Sequence, residues 1–412
     1  MKDFTYRLPT RFVFGHGAEK KAGEELRQLG AKRVLIHYGG GSAVKSGLIG
    51  RIAADLQAHG METLLLGGAL PNPRDDKVYE GIELVRREKI DFILAVGGGS
   101  AIDSAKTIAH GACYDGDFWD FFCGKAKVEK TMPFGVVLTM SAAGSESSNS
   151  CVIMQKDTLI KRGLSTEFNR PLIAFMNPEL AMTVPVYQIA SGATDILAHV
   201  MERYFTCETE VDLTDRLCEA TMQAVIRAAR IAVKDPTNYD AQAQLMWGST
   251  IAHNETVGVG RLGDFGAHQL EHELSALYDV AHGAGLAVVF PAWMRFQMKK
   301  HPMRIAQFAN RVYNVPMNFE NPEETALRGI EAHESFLREI GMPVTMKELG
   351  ARSEDIPLLA AKTKRHKPEL DLIGNAWPVN GAEAEEIFRI ADRYGYKNWR
   401  GRFSPVPPFW GN

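Results

Sequence analysis

The chain has 412 residues, 45% hydrophobic and 24% charged, with 47 Lys and Arg against 50 Asp and Glu for a net charge of −3. That length admits two or three domains, and the composition is that of a globular protein able to bury large cores without disulfides. The near-neutral balance, with no run of five like charges, excludes the electrostatic footprint of a nucleic-acid binder or of a protein drawn to an anionic membrane surface.

The first residues lack the apolar core of a signal peptide, and no run of about 18 apolar residues is present to span a bilayer. The five cysteines (113, 123, 151, 207 and 218) are scattered, odd in number and without a C-x-x-C pair, as free thiols in a reducing compartment are. A cytoplasmic protein with no membrane partner is expected.

Residues 32–38 form a short apolar, β-branched run that ends in Gly39, Gly40, Gly41 and Ser42, followed by a helical pattern through 58. Residues 63–66 offer a second strand, and 75–88 a helix with Val78, Ile82 and Val85 at helical spacing. The arrangement repeats at 91–106: an apolar strand, then Gly97, Gly98 and Gly99, then a helix opening at Ser100 and carrying Asp103 and Lys106. Glycines there allow positive φ and close backbone approach, so free N–H groups at a helix N-terminus can cradle a pyrophosphate. The spacing is not G-x-G-x-x-G, and a turn that merely joins strand to helix is the plainer reading.

A fourth apolar strand, 135–139, runs through Thr139 into a loop of small and hydroxylic residues that includes Ser141, and 172–176 gives a further strand. Strands alternating with helices to about residue 180 predict a Rossmann-like parallel sheet, with ligands beyond the carboxyl ends of its strands. From 187 the texture is helical, as at 213–233 and 241–253, and 288–291 reads as the end of a buried helix. The expectation is an α/β domain over 1–186 and an all-helical domain over 187–412, with an irregular tail at 403–412.

Five of the twelve His (199, 253, 268, 272 and 282) fall within 84 residues. If 192–205 is helical, Asp195 and His199 share a face, as do His268 and His272 on a second helix, with His282 ten residues further on. A carboxylate and several imidazoles suit a divalent ion such as iron, zinc or manganese. The plainer alternative is satisfied core histidines and a first-turn acid favoured by the helix dipole.

Gly192-x-x-Asp195-x-x-x-His199-x-x-Glu202, then His268-x-x-x-His272 and His282-Gly283, behind an N-terminal Gly-Gly-Gly-Ser-x-x-Asp-x-x-Lys, resemble the iron-containing alcohol dehydrogenase family over nearly the whole chain. The resemblance implies a dinucleotide-binding α/β domain and a helical metal-binding domain, with Asp195, His199, His268 and His282 as ligands of one Fe²⁺ or Zn²⁺. It also implies pyrophosphate near Gly98, Gly99 and Ser100, with Asp103, Thr139, Ser141 and Lys161 lining the cofactor cleft. His272 is left beside substrate and nicotinamide, to orient the alcohol or pass its proton to solvent.

At 138–146 the family's Pro-Thr-Thr-Ala-Gly-Thr-Gly-Ser-Glu becomes Leu-Thr-Met-Ser-Ala-Ala-Gly-Ser-Glu, with Ala142 and Ala143 in place of a Gly and a Thr. With Tyr38 and the glycines after it, this resembles the branch of NADPH-dependent butanol dehydrogenases and aldehyde reductases. The implied enzyme is a homodimer that moves hydride between NADP(H) and a primary alcohol/aldehyde pair. A carboxylate beside residues 39–42 would repel the 2′-phosphate of NADP(H), whereas glycine N–H groups and the Ser42 hydroxyl accept it. The rival readings are a metal-dependent lyase resembling dehydroquinate synthase and a catalytically silent nucleotide sensor. The lyase needs several Lys and Arg around the metal, where only Arg203 and Arg261 are at hand, and the sensor needs no His cluster.

Overall fold

The computed structural model describes residues 1–364 and 371–393. Its first part is built on β1 (Arg11–Phe14), β2 (Arg33–Tyr38), β3 (Glu62–Leu66), β4 (Phe92–Gly97), β5 (Phe134–Leu138) and, after a separate antiparallel hairpin of β6 (Ser150–Met154) and β7 (Lys161–Ser165), β8 (Ile173–Met176). The main sheet has the order β1-β8-β5-β4-β2-β3, and each pairing is parallel.

Alternation along β4 shows why its sequence is apolar throughout. Phe92, Leu94 and Val96 face one layer, with Leu26 of α1 (Ala22–Gln28) and Ile49, Ile52 and Leu56 of α3 (Leu48–Ala58), which follows a short α2 (Gly41–Lys45). Ile93 and Ala95 face the other, with Val78, Ile82 and Val85 of α4 (Asp75–Arg87) and Ile102 and Ile108 of α5 (Gly99–Gly111). Helices therefore cover both faces, as an all-parallel sheet requires. The strand order reverses between β2 and β4, so the crevice beyond their carboxyl ends is the topological switch point where such sheets bind ligands.

Beyond a single turn α6 (Trp119–Phe122), the remaining helices are α7 (Val186–Tyr204), α8 (Asp212–Ala232), α9 (Tyr239–His253), α10 (Gly266–Tyr278), α11 (His282–Gln297), α12 (Pro302–Tyr313), α13 (Pro322–Glu339), α14 (Met346–Leu349), α15 (Ile356–Thr363) and α16 (Gly381–Arg393). α7 is buried on all sides from Ile189 to Tyr204, which makes it the axis of the helical part. None of the helices among the described residues is long and apolar enough to cross a membrane.

Several expectations need correction. The helix expected to run unbroken to residue 58 is cut in two, because Gly47 takes φ 72° ahead of α3. β1 and the β6–β7 hairpin were not foreseen: β1 has only four residues, and β7 contains Lys161, Arg162 and Gly163 rather than an apolar run. The later part is helical as expected, with a small hairpin of β9 (Leu372–Ile373) and β10 (Val379–Asn380) set into it. Residues 288–291 do lie in a buried helix, α11, with Pro291 inside it. The tail at 403–412 lies outside the described residues.

Candidate metal and cofactor site

The glycine turns follow β2 and β4, one on each side of the switch point, and Thr139 follows β5 beside them, its N–H donating to the Gly97 carbonyl at 3.1 Å. Neither triplet uses positive φ, contrary to the expectation. Space is the requirement instead. A Cβ on Gly97 would lie 2.8 Å from the Ala101 Cβ, and one on Gly99 would lie 3.2 Å from the Ala143 Cβ. The first N–H groups of α5, a helix of 13 residues, are thereby left bare at the crevice, where the helix dipole favours an anion.

A cavity of about 1480 Å³ runs from these turns into the helical part. All the site residues expected from sequence line it except Gly41 and Ser141. Ser141 is instead buried against α7, where its carbonyl would sit 2.1 Å from a Cβ on Gly192. Asp103 lines the wall with both carboxylate oxygens taken, by the Ser145 hydroxyl at 2.5 Å and the Val152 N–H at 2.9 Å. It fixes the loop between β5 and β6 more directly than it presents itself to a ligand. Lys161 donates to Asn72 Oδ1 at 3.0 Å and Ser275 Oγ at 2.8 Å, so its ammonium is committed to α10 and the loop before α4.

At the inner end, Asp195, His268 and His282 bring one ligand atom each to within 4.8 Å of one another. Asp195 Oδ1 lies 3.9 Å from His268 Nε2 and 3.8 Å from His282 Nε2. Donors each about 2.1 Å from a tetrahedral ion stand roughly 3.4 Å apart, so these spacings suit one cation with slight contraction. His268 Nε2 is buried with no hydrogen-bond partner among the described residues, and Asp195 Oδ1, also buried, has only His199 Nδ1 beside it at 3.1 Å. A buried, unpartnered ring nitrogen aimed at a carboxylate oxygen is costly unless something sits between them.

The imidazoles share a further property. His199 Nδ1 lies 2.9 Å from the Asp195 carbonyl, His268 Nδ1 lies 2.9 Å from Glu202 Oε1, and His282 Nδ1 is in direct contact with Glu271 Oε2. Each Nδ1 meets an acceptor and so carries the proton, which leaves each Nε2 as a lone-pair donor. His199 stands outside the tightest group of three but against it, its ring 4.5 Å from that of His268.

Burial pushes the Asp195 carboxyl up, yet His199, His282 and His268 outweigh it and hold the group well below the ordinary carboxylate range. Burial likewise drives the His268 imidazole well below its usual value, so it is neutral. Burial raises Glu202 to about 7, against the lowering effect of the His268 and Phe265 N–H groups. An anionic Asp195 and a neutral His268 imidazole are the forms in which these groups bind a divalent cation. His272 lies beside it, with its ring 5.7 Å from that of His282.

A family model for iron-containing alcohol dehydrogenases matches residues 9–178, and a model of the C-terminal part of that family matches residues 189–389. This chain belongs to the iron-containing alcohol dehydrogenase family. It is 38% identical to a probable NADH-dependent butanol dehydrogenase 1 of Bacillus subtilis, over 88% of this chain and 93% of the relative. It is 34% identical to the NADPH-dependent aldehyde reductase YqhD of Escherichia coli, over 89% of this chain and 94% of that one. The crystal structure of NADH-dependent butanol dehydrogenase A from Thermotoga maritima superposes with a TM-score of 0.92 at 38% identity, covering 95% of this chain and 99% of that one. The chain is therefore an oxidoreductase of the alcohol/aldehyde couple that uses a nicotinamide cofactor, and the dehydroquinate synthase-like reading is not favoured.

Sequence reasoning missed Glu202 as the partner of His268 and Glu271 as the partner of His282, and it counted His253 among the clustered histidines without giving it a part. The signal for Glu202 was present, since it lies three residues after His199 on the same helix face. Nothing in sequence marks Glu271 as that partner. His253 Nδ1 lies 2.6 Å from the Ala143 carbonyl, its Nε2 lies 3.1 Å from Ser150 Oγ, and its ring is 4.0 Å from that of His199. It fastens the loop after β5 to the metal-side helix.

Proposed function

We propose that the chain is a divalent-metal-dependent, NADP(H)-linked alcohol dehydrogenase and aldehyde reductase for primary alcohol/aldehyde pairs. Residues 1–186 form its dinucleotide domain and 187–412 its metal domain. The observation that carries the reading is the convergence of Asp195 Oδ1, His268 Nε2 and His282 Nε2, the second buried without a partner among the described residues, at the inner end of the cavity that begins at the glycine turns.

Asp195, His199, His268 and His282 would hold the ion, and a carboxylate with three imidazoles accepts Fe²⁺ or Zn²⁺ comparably. Such a cation supplies Lewis acidity to the alcohol or carbonyl oxygen, and the nicotinamide supplies or takes the hydride. The protein's own part is positional. Glu202, Glu271 and the Asp195 carbonyl hold the rings by Nδ1, so the Nε2 lone pairs need no reorganisation. Gly98, Gly99 and Ser100 present the N-terminus of α5 to the pyrophosphate. His272 carries the alcohol proton to or from solvent.

NADP(H) is favoured by the lining after β2. Ser42, Ser46 and Arg51 face the cavity there, and no Asp or Glu occurs between residues 39 and 54. Hydroxyl and guanidinium groups suit a 2′-phosphate, which a carboxylate would repel. The outer edge of β1, unpaired among the described residues, suits pairing with a second copy, as a homodimer, and the free cysteines suit the cytoplasm.

Elemental analysis of protein purified without chelator, combined with NADPH and NADH oxidation over short and medium aldehydes, tests the reading. About one iron or zinc per chain and a higher kcat/KM with NADPH are expected. Metal-free protein with undiminished turnover, or a higher kcat/KM with NADH, would overturn the corresponding half.

A further inference from the structure

Behind His282 stands a carboxylate that belongs to no ligand set argued above. Glu271, on α10, is fully buried, and its Oε2 touches His282 Nδ1. Neither of its oxygens has another hydrogen-bond partner among the described residues. Room for the group is made by Gly285 of α11, where a Cβ would lie 2.6 Å from Glu271 Oε1. The cation nearest to it comes from the other half of the molecule: Lys161 Nζ, on β7, is 3.9 Å from Oε2 and is itself 6% exposed.

We propose that Glu271 is a positioning residue for His282, and that Lys161, reaching across from the β6–β7 hairpin, holds the Glu271 carboxylate in place. The proposal rests on His282 being a metal ligand. A carboxylate on the Nδ1 proton of a ligating imidazole fixes its tautomer and ring orientation and raises the basicity of Nε2. A carboxylate buried with no cation near it is unfavourable, and Lys161 supplies that cation while tied by neutral hydrogen bonds to Asn72 and Ser275. His282 is thereby linked through Glu271 and Lys161 to the hairpin, which Asp103 of α5 grips through the Val152 N–H. Metal affinity is consequently coupled to the seating of a segment that belongs to the cofactor half.

The test is Zn²⁺ affinity, measured by competition with a chromophoric chelator, with the melting temperature of each metal-free variant as the control for folding. Glu271→Ala is expected to bind Zn²⁺ about 10- to 100-fold more weakly, and Glu271→Gln, whose amide oxygen still accepts from Nδ1, to recover part of that loss. Lys161→Met is expected to weaken binding in the same direction. Its effect should not multiply with that of Glu271→Gln in the double variant, because both act through one contact.

His282→Ala separates the two layers of the argument. Wild-type Zn²⁺ affinity in His282→Ala would remove the ligand assignment itself. Loss of metal in His282→Ala with wild-type affinity in folded Glu271→Ala, or in Glu271→Gln should the alanine variant not fold, would remove the positioning role alone. Glu271, His272 and His282 also bring ligand atoms within 4.8 Å of one another. A fall from two bound ions to one in Glu271→Ala, with the remaining affinity unchanged, would make Glu271 a ligand of a second ion and overturn the proposal.

Discussion

At the scale of single residues, the sharpest distinction is between His272 and His282, which spacing alone leaves equivalent. Only His282 is grouped with Asp195 and His268, whereas His272 is grouped with Glu271 and His282 to one side. His282→Ala is expected to lose most bound metal and all activity. His272→Ala is expected to keep metal near wild-type stoichiometry and to lower kcat by about 10², the scale of a lost proton-transfer group. Metal content of the two purified variants decides the matter, and an empty His272→Ala protein would reverse the roles. Cofactor choice is also decided by few atoms. Gly40 faces open space, so Gly40→Asp places a carboxylate beside the cleft without a clash. The ratio of kcat/KM for NADPH to that for NADH should fall by an order of magnitude or more, about 1.4 kcal/mol, and an unchanged ratio would place the 2′-phosphate elsewhere.

At the scale of elements, helices meet through glycines where side chains would not fit. A Cβ on Gly283, the residue after His282, would lie 1.9 Å from the Ser191 carbonyl of α7. Gly283→Ala must push α11 off α7, at a cost of about 1–3 kcal/mol, and it moves His282 away from Asp195. A lower melting temperature together with reduced metal content is expected, whereas loss of stability with full metal occupancy would show that the two helices move together. Gly99→Val acts on a different element. Its side chain meets Ala143 and covers the N-terminus of α5, so NADPH binding measured by fluorescence titration should be lost while metal is retained.

The contrast explains what the sequence discloses. Asp195, His199, His268 and His272 are legible because helical periodicity alone puts each pair on one face. The strands β2, β4, β5 and β8 of the main sheet are legible because burial on both faces demands apolar runs. The parts of His253 and Lys161 are not, because they are set by approaches between segments more than a hundred residues apart, such as Lys161 to Ser275 and His253 to Ala143, and the contact of Glu271 with His282 depends on how α11 folds back on α10.

At the scale of the whole molecule, acid sensitivity is built into histidines far from the proposed metal. His37 and His110 are fully buried and His333 is nearly so. Burial holds His37 and His110 at about 4 and His333 at about 3, below the value of about 6.5 in an unfolded chain. The folded-state values are depressed, so the unfolded chain takes up protons first as pH falls. The stability these residues support is present above pH 6.5 and is lost progressively towards pH 4 for His37 and His110 and towards pH 3 for His333, on the order of 3 kcal/mol for each of the first two and about 5 kcal/mol for the third. Urea unfolding between pH 7.5 and pH 4.5, with chelator present throughout so that metal release does not contribute, should show this decline, and a flat profile would contradict it. The β6–β7 hairpin bears on the molecule in another way. It is held on β6 by Asp103 and on β7 by Asn72 and Ser275, so it ties the wall of the cleft to α10. To part the two halves on this side of the cleft is therefore to break the Lys161 contacts with Ser275 and Glu271, two bonds set well inside the protein rather than at its rim.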